Sequence, residues 1–309
     1  MKKKAMSSDN KQAFSIKRFA YKETTVGYVF ALPFIIGFLG FTMVPIVSSL
    51  YYSFTNYNLI EKESWVGISN YARLMGDERF WNSVYVTLKY VVTSVPLKLV
   101  FALFIAMIMT RKSKLVGVYR SLYYVPSLIG GSIAVTLVWK ELFSRKGLIN
   151  QMLGMLGAGR ISWFGDQKMA LIPLILLSVW QFGSSMIIFA AGLKQIPVTY
   201  YEAAKIDGAN RIKSFFKITL PCLSPVILYN LVMQTISAFM TFTQAFVITS
   251  GGPKDATNFY ALYMYNNAFS YRNMGYASAM SWIMLVVISI VTLIIFKSSK
   301  YWVFSEADK

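Results

Sequence analysis

The chain has 309 residues, 56% of them hydrophobic and only 14% charged, with a mean hydropathy of +0.49. Soluble domains carry about a quarter charged residues, so this composition points to lipid as the surrounding solvent. Thirty-one Lys and Arg against 13 Asp and Glu give a net charge of +18, with no histidine and one cysteine, Cys222. That excludes a disulfide framework, histidine-based metal centres, imidazole-dependent triads and intrinsic disorder.

The first 25 residues read as a polar, basic cytoplasmic tail. Six apolar stretches follow, roughly Val26–Tyr52, Val84–Thr110, Ser121–Trp139, Met169–Leu193, Thr219–Ile248 and Tyr276–Phe296. Crossing a ~30 Å hydrocarbon core takes about 20 helical residues, which each stretch supplies. The first has too long a core and too long a basic leader for a cleaved signal peptide. No period-two alternation suggests a transmembrane β-barrel. The expectation is an all-α polytopic membrane protein, with residues 26–296 as the six-helix domain and 297–309 as a cytoplasmic tail.

Basic residues enrich cytoplasmic loops. With the N-terminus inside, the inner pieces hold 19 Lys and Arg and the outer loops 10. The chain therefore reads as N-in and C-in, embedded in the cell membrane. The basic excess is a topology signal and implies no nucleic-acid partner.

In the second span, Lys98 lies far from either end, where a cation must snorkel, find a carbonyl or border water. The fourth span carries Ser178, Gln181 and Ser185 at spacings of 3 and 4, beside Trp180 and Phe182. In the fifth, Asn230, Gln234, Ser237, Thr241 and Gln244 follow at spacings of 4, 3, 4 and 3, one polar stripe on an apolar helix. Such a stripe serves either as an interhelical hydrogen-bond seam or as the wall of a water-lined cavity. Two glutamines and an asparagine on one line favour the wall, because neutral amides both donate to and accept from sugar hydroxyls.

Between the fourth and fifth spans, residues 194–221 read KQIPVTYYEAAKIDGANRIKSFFKITLP. Thr199-x-x-Glu202 has capping-box spacing, Tyr200 to Asp207 fits a two-turn helix, and Gly208 suits a left-handed C′ position. Ile212, Phe215, Phe216 and Ile218, interleaved with Arg211, Lys213 and Lys217, suit a helix in the inner interface, and Pro221 opens the fifth span. Pattern alone leaves open whether this is an ordinary amphipathic loop or a docking element.

Glu202-Ala203-Ala204, three residues, Gly208, nine residues, then Ile218-x-Leu220-Pro221 resembles the EAA loop of permease subunits in binding-protein-dependent ABC importers. Ala209 and Asn210 extend it in the manner of carbohydrate-type permeases. Gly251-Gly252-Pro253, Arg120-x5-Pro126, Trp139 with Gly147-Leu148-Ile149-Asn150, and Gly275-Tyr276-Ala277-Ser278-Ala279 are similar to theirs as well. The resemblance implies a type I importer fold like that of the maltose permease, with Glu202, Ala203, Ala204, Asp207 and Gly208 coupling to an ATPase. It implies a second homologous permease, two cytoplasmic ABC ATPases holding ATP and Mg, an extracytoplasmic sugar-binding protein, and no cofactor or metal on this chain. The substrate would be a sugar or oligosaccharide; Lys98 either snorkels or meets a backbone carbonyl, or gives the pathway a positive field that suits an acidic oligosaccharide.

Two other classes fit the sequence less well. An ion-coupled secondary sugar transporter needs an intramembrane carboxylate or histidine, and all acidic residues fall in tails or loops. A membrane enzyme needs paired carboxylates, a metal cluster or an activated nucleophile, and none is visible. The chain lacks a phosphate-binding G-x-x-x-x-G-K-[ST] loop, so it carries no ATPase of its own.

Overall fold

The computed structural model describes residues 23–60, 62–110 and 116–304. The basic N-terminal tail before Glu23, the basic segment 111–115 and the last five residues lie outside them. The described residues are mainly helical, with one isolated β-bridge between Thr55 and Trp65. Four helices are long and apolar enough to cross a membrane, or six if two bent pairs each count as one span.

The first span is α1 (Glu23–Phe38), a π-helical turn (Leu39–Met43) and α2 (Val44–Ser53). A short helix α3 (Ser69–Met75) leads into α4 (Glu78–Met109), the second span. Asp77 caps α4, accepting from the Arg79 and Phe80 amides at 3.0 and 3.2 Å.

The third span departs from the sequence expectation of one rod over Ser121–Trp139. It consists of α5 (Val116–Ile129) and α6 (Ile133–Leu142), turned by 98° at Gly130 and Gly131. Ser132 then restarts the helix by accepting from the Val135 amide at 3.3 Å. Beyond α7 (Leu148–Met155), the fourth span is again two pieces, α8 (Leu171–Trp180) and α9 (Gly183–Gln195), bent by 42°.

After α10 (Val198–Ile206) the chain enters α11 (Arg211–Ser214), passes a π-helical turn (Phe215–Thr219) and continues as α12 (Leu220–Phe239). The basic, aromatic segment is therefore not a separate interfacial helix: it is the inner end of the fifth span, and Pro221 sits inside a continuous run. The run breaks over residues 240–242 and resumes as α13 (Thr243–Ile248). Finally α14 (Tyr260–Tyr265) and a π-helical turn (Asn266–Ser270) precede α15 (Met274–Ser299), the sixth span.

The core gathers around α4, which packs against α8, α9, α12 and α14. Phe80, Tyr90, Leu99, Leu174, Met186, Phe189, Leu223, Phe259 and Met280 are buried there. The first span stays outside it: Phe30, Phe34 and Phe41 are 82, 75 and 89% exposed, an apolar surface. Since lipid tails are as apolar as leucine, helices join here through close packing of small residues. Gly275 shows this where α15 meets the end of α2: a Cβ there would stand 2.1 Å from the Thr55 carbonyl oxygen.

Candidate functional site: a buried polar cavity and an exposed inner helix

Three spans converge on a polar cavity of about 50 Å³. Helix α4 contributes Tyr90, Val95 and Lys98; the end of α8 contributes Ser178 and Gln181. Gln234, Ser237 and Ala238 come from α12, and Thr241 and Gln244 follow across the break. Four of the five stripe residues on the fifth span thus meet two of the three on the fourth, with Lys98 between them. The Gln244 Oε1 is buried with no protein partner among the described residues.

Asn230 and Ser185 do not reach this cavity. Asn230 donates to the Val226 carbonyl one turn back at 3.1 Å, and its Oδ1 is buried without a partner among the described residues. The Ser185 hydroxyl is likewise buried with no partner among the described residues. Both lie on the right helical face but a turn or more too far along their helices, a depth that periodicity does not encode.

Tyr90 is the cavity residue that the sequence reading missed. Its ring packs on Phe259 with centroids 4.9 Å apart, and its hydroxyl approaches Ser178 and Thr241. The signal was present: Tyr90, Ser94 and Lys98 recur every four residues, one face of α4. Gln181 has a second task, donating from Nε2 to the Gly130 carbonyl at 3.0 Å, while its own carbonyl accepts from the Ser127 hydroxyl at 3.0 Å. It therefore ties the bend of the fourth span to the bend of the third. Trp180 packs on Trp139, and Phe182 meets Phe101 edge-on at 4.8 Å, so both serve packing.

At the inner end, α10 begins differently from the expected capping box. Pro197 is the N-cap, with no side-chain capping bond. Proline's extended φ/ψ starts the helix at Val198, which moves Thr199 inside the first turn, where its hydroxyl cannot cap. The C-terminal end matches expectation: Gly208 has φ +75°, its amide donates to the Lys205 carbonyl, and the Ala209 amide donates to Ala204 at 2.8 Å, a Schellman closure. No residue of α10 is buried; Val198 and Ile206 are 67 and 87% exposed. Glu202, Ala203, Asp207 and Gly208 lie on the surface and Ala204 is half-buried.

A hydrogen bond between Tyr201 and the Thr219 hydroxyl, at 2.9 Å, fastens α10 to the fifth span. Beside it a cavity of about 280 Å³ is lined by Ile196, Pro197, Tyr200, Cys222, Pro225 and Phe304 among others. The Phe304 amide donates to the Ser224 hydroxyl at 2.8 Å. The last described residue and the 194–221 loop therefore share one end of the bundle, as an inner placement of both requires.

The opposite end is tied across the sequence. Arg79 makes a bidentate ion pair with Asp255 at 3.0 Å, and Asn82 donates to the Asp255 carbonyl. These bonds hold the turn after α13, which contains Gly251, Gly252 and Pro253, against the start of α4. Next to it, Asp77 Oδ2 accepts from the Tyr263 and Tyr276 hydroxyls. Partial burial pushes the Asp77 carboxyl up, but those hydroxyls and the two capping amides outweigh it and hold the group below its ordinary value.

Broken and unbroken apolar spans around a polar cavity, with an exposed short helix at one end, fit a helical membrane permease. The chain belongs to the family of binding-protein-dependent transport system inner membrane components, which matches residues 66–303. It is thus a multi-pass inner-membrane component. It is 52% identical to the probable ABC transporter permease protein YesP of Bacillus subtilis (strain 168), over 98% of this chain and 100% of that one. It is 32% identical to the trehalose/maltose transport system permease protein MalF of Thermococcus litoralis, over 91 and 96% of the two chains. Identity is again 32% to the arabinooligosaccharides transport system permease protein AraP of B. subtilis, over 90% of each. Among solved structures, a bacterial ABC transporter involved in import of the acidic polysaccharide alginate superposes with TM-score 0.79 at 22% identity, over 94% of this chain and 98% of that one. This last likeness speaks for the fold.

Proposed function

We propose that the chain is a transmembrane subunit of an ATP-driven importer that carries a sugar or oligosaccharide handed over by an extracytoplasmic binding protein. It pairs with a second, homologous permease and with two cytoplasmic ATPase subunits, which hold the ATP and Mg; the chain itself needs no cofactor. The relatives named for trehalose/maltose and arabinooligosaccharide transport support the substrate class. Amides and hydroxyls in the cavity suit neutral hydroxyl groups.

The observation that carries the reading is α10. A nine-residue helix with no buried residue is too short to be stable alone, and its exposed Val198 and Ile206 have no partner within the described chain. An ATPase surface supplies one. Closure of the ATPase dimer displaces α10, and the continuous run from Arg211 to Phe239 carries that displacement to Gln234 and Ser237. ATP and substrate then favour different members of one conformational equilibrium.

The test is site-directed crosslinking with Ala203→Cys, which is expected to trap the ATPase subunit in membranes. In parallel, Glu202→Lys is expected to lower uptake more than about tenfold at normal membrane abundance, because it reverses a charge on the docking surface. Crosslinks that never reach a nucleotide-hydrolysing subunit, with uptake intact in Glu202→Lys, would overturn the reading. An ion-coupled carrier is the rival, and no acidic residue lines the cavity to carry its coupling charge.

A further inference from the structure

Lys98 sits about 30 Å along α4 from its outer end at Glu78 and about 17 Å from its inner end at Met109. With its side chain among the residues of the polar cavity, Lys98 is not placed to snorkel along the lipid-facing surface of the helix. A carbonyl contact is the other inexpensive solution, and Lys140 adopts it by donating to the Val247 carbonyl at 3.1 Å. Lys98 does not: among the described residues it has neither a hydrogen bond nor an ion pair, the Arg79–Asp255 pair being the salt bridge found there. Its side chain instead lines the polar cavity with Gln181, Gln234 and Gln244.

An ammonium held at mid-depth with no counter-charge is costly unless an anion arrives to pair with it. Every other polar group in that wall is neutral. Amides and hydroxyls recognise sugar hydroxyls, whereas the cation adds one site for a negative charge, and the unpartnered Gln244 Oε1 leaves an acceptor for a hydroxyl nearby. At about 50 Å³ the cavity holds a water or two and no sugar ring, so the described conformation is closed around these groups.

Resting on the importer reading above, we propose that the substrate class is an anionic saccharide, a uronate-containing oligosaccharide whose carboxylate pairs with the Lys98 ammonium as it crosses the midplane. A charge-assisted hydrogen bond there is formed by the acid and denied to its neutral counterpart.

The experiment uses cells of the native organism that lack this gene and are complemented with wild type, Lys98→Met, Lys98→Gln or Lys98→Arg, with membrane abundance measured by immunoblot. Uptake is followed for two labelled panels of equal length, oligosaccharides of uronic acids and neutral glucans and arabinans. The expected result is uronate uptake by wild type that falls at least about tenfold in the Met and Gln variants and is largely restored in Lys98→Arg. Uptake of neutral saccharides alone, or uronate uptake unaffected in a Met or Gln variant of normal abundance, overturns the proposal while leaving the importer reading intact. Uptake of neither panel by wild type overturns the importer reading, and this inference with it.

Discussion

At Gly208 the backbone φ is +75°, yet a Cβ placed there would meet no atom within 4 Å. Any cost of substitution is thus backbone strain, about 1–2 kcal/mol for a side chain that resists the left-handed region. Gly208→Val is expected to insert normally but lose most transport, whereas Gly208→Asn, which tolerates that region, keeps most of it; paired uptake and immunoblot measurements decide. Gly275 poses the opposite problem, because even alanine there would collide with the Thr55 carbonyl. Asp77 adds a pH signature. Its carboxyl is held below the ordinary value, so its stabilisation is fully present above about pH 4 and is lost as pH falls through the lowered value. Removing it with Asp77→Ala is expected to cost about 1 kcal/mol, the scale of a lost N-cap. In detergent melts the gap to wild type is expected to stay constant from about pH 8 to about pH 5 and narrow only in stronger acid.

At the scale of elements, the six passages were legible because apolar length alone marks a span, and Gly208 was legible because its conformation needs glycine. The breaks were not. Ser121–Trp139 reads as one apolar run, and its 98° turn depends on Gly130 resting against Gln181 from another span, a partner that local pattern cannot name. The capping box failed for a local reason, since Pro197 started α10 before Thr199 could cap it. Likewise the stripe residues shared a face, but tertiary packing chose which of them opened into the cavity and left Asn230 and Ser185 aside. The tie between the turn after α13 and the start of α4 bears a prediction of its own. An exposed ion pair contributes about 0.2–1 kcal/mol, so Arg79→Ala should barely move the melting temperature. Amide hydrogen exchange across residues 250–257 is expected to rise several-fold, because the turn loses its two-pronged anchor.

Over the whole molecule, the two ends differ in kind. One presents α10, Lys194, Lys205 and the last described residues; the other presents the anchored turn and the Asp77 cluster. Much of the charge asymmetry behind the N-in, C-in reading lies outside the described residues, but the shared end of Phe304 and the 194–221 loop satisfies the same arrangement. The purified chain alone is expected to hydrolyse no ATP above background, with activity appearing only when ATPase subunits are added; a phosphate-release assay checks it.

The interruption at residues 240–242 divides the cavity wall between two rods. Gln234 and Ser237 ride on the one that runs unbroken from Arg211, while Gln244 rides on a short segment whose following turn is anchored at the opposite end of the bundle. On the importer reading proposed above, a pull on α10 would reach the first rod and not the second, and would part the two glutamines instead of shifting them together. The cavity would then widen at that one interruption, with every backbone bond in both rods kept.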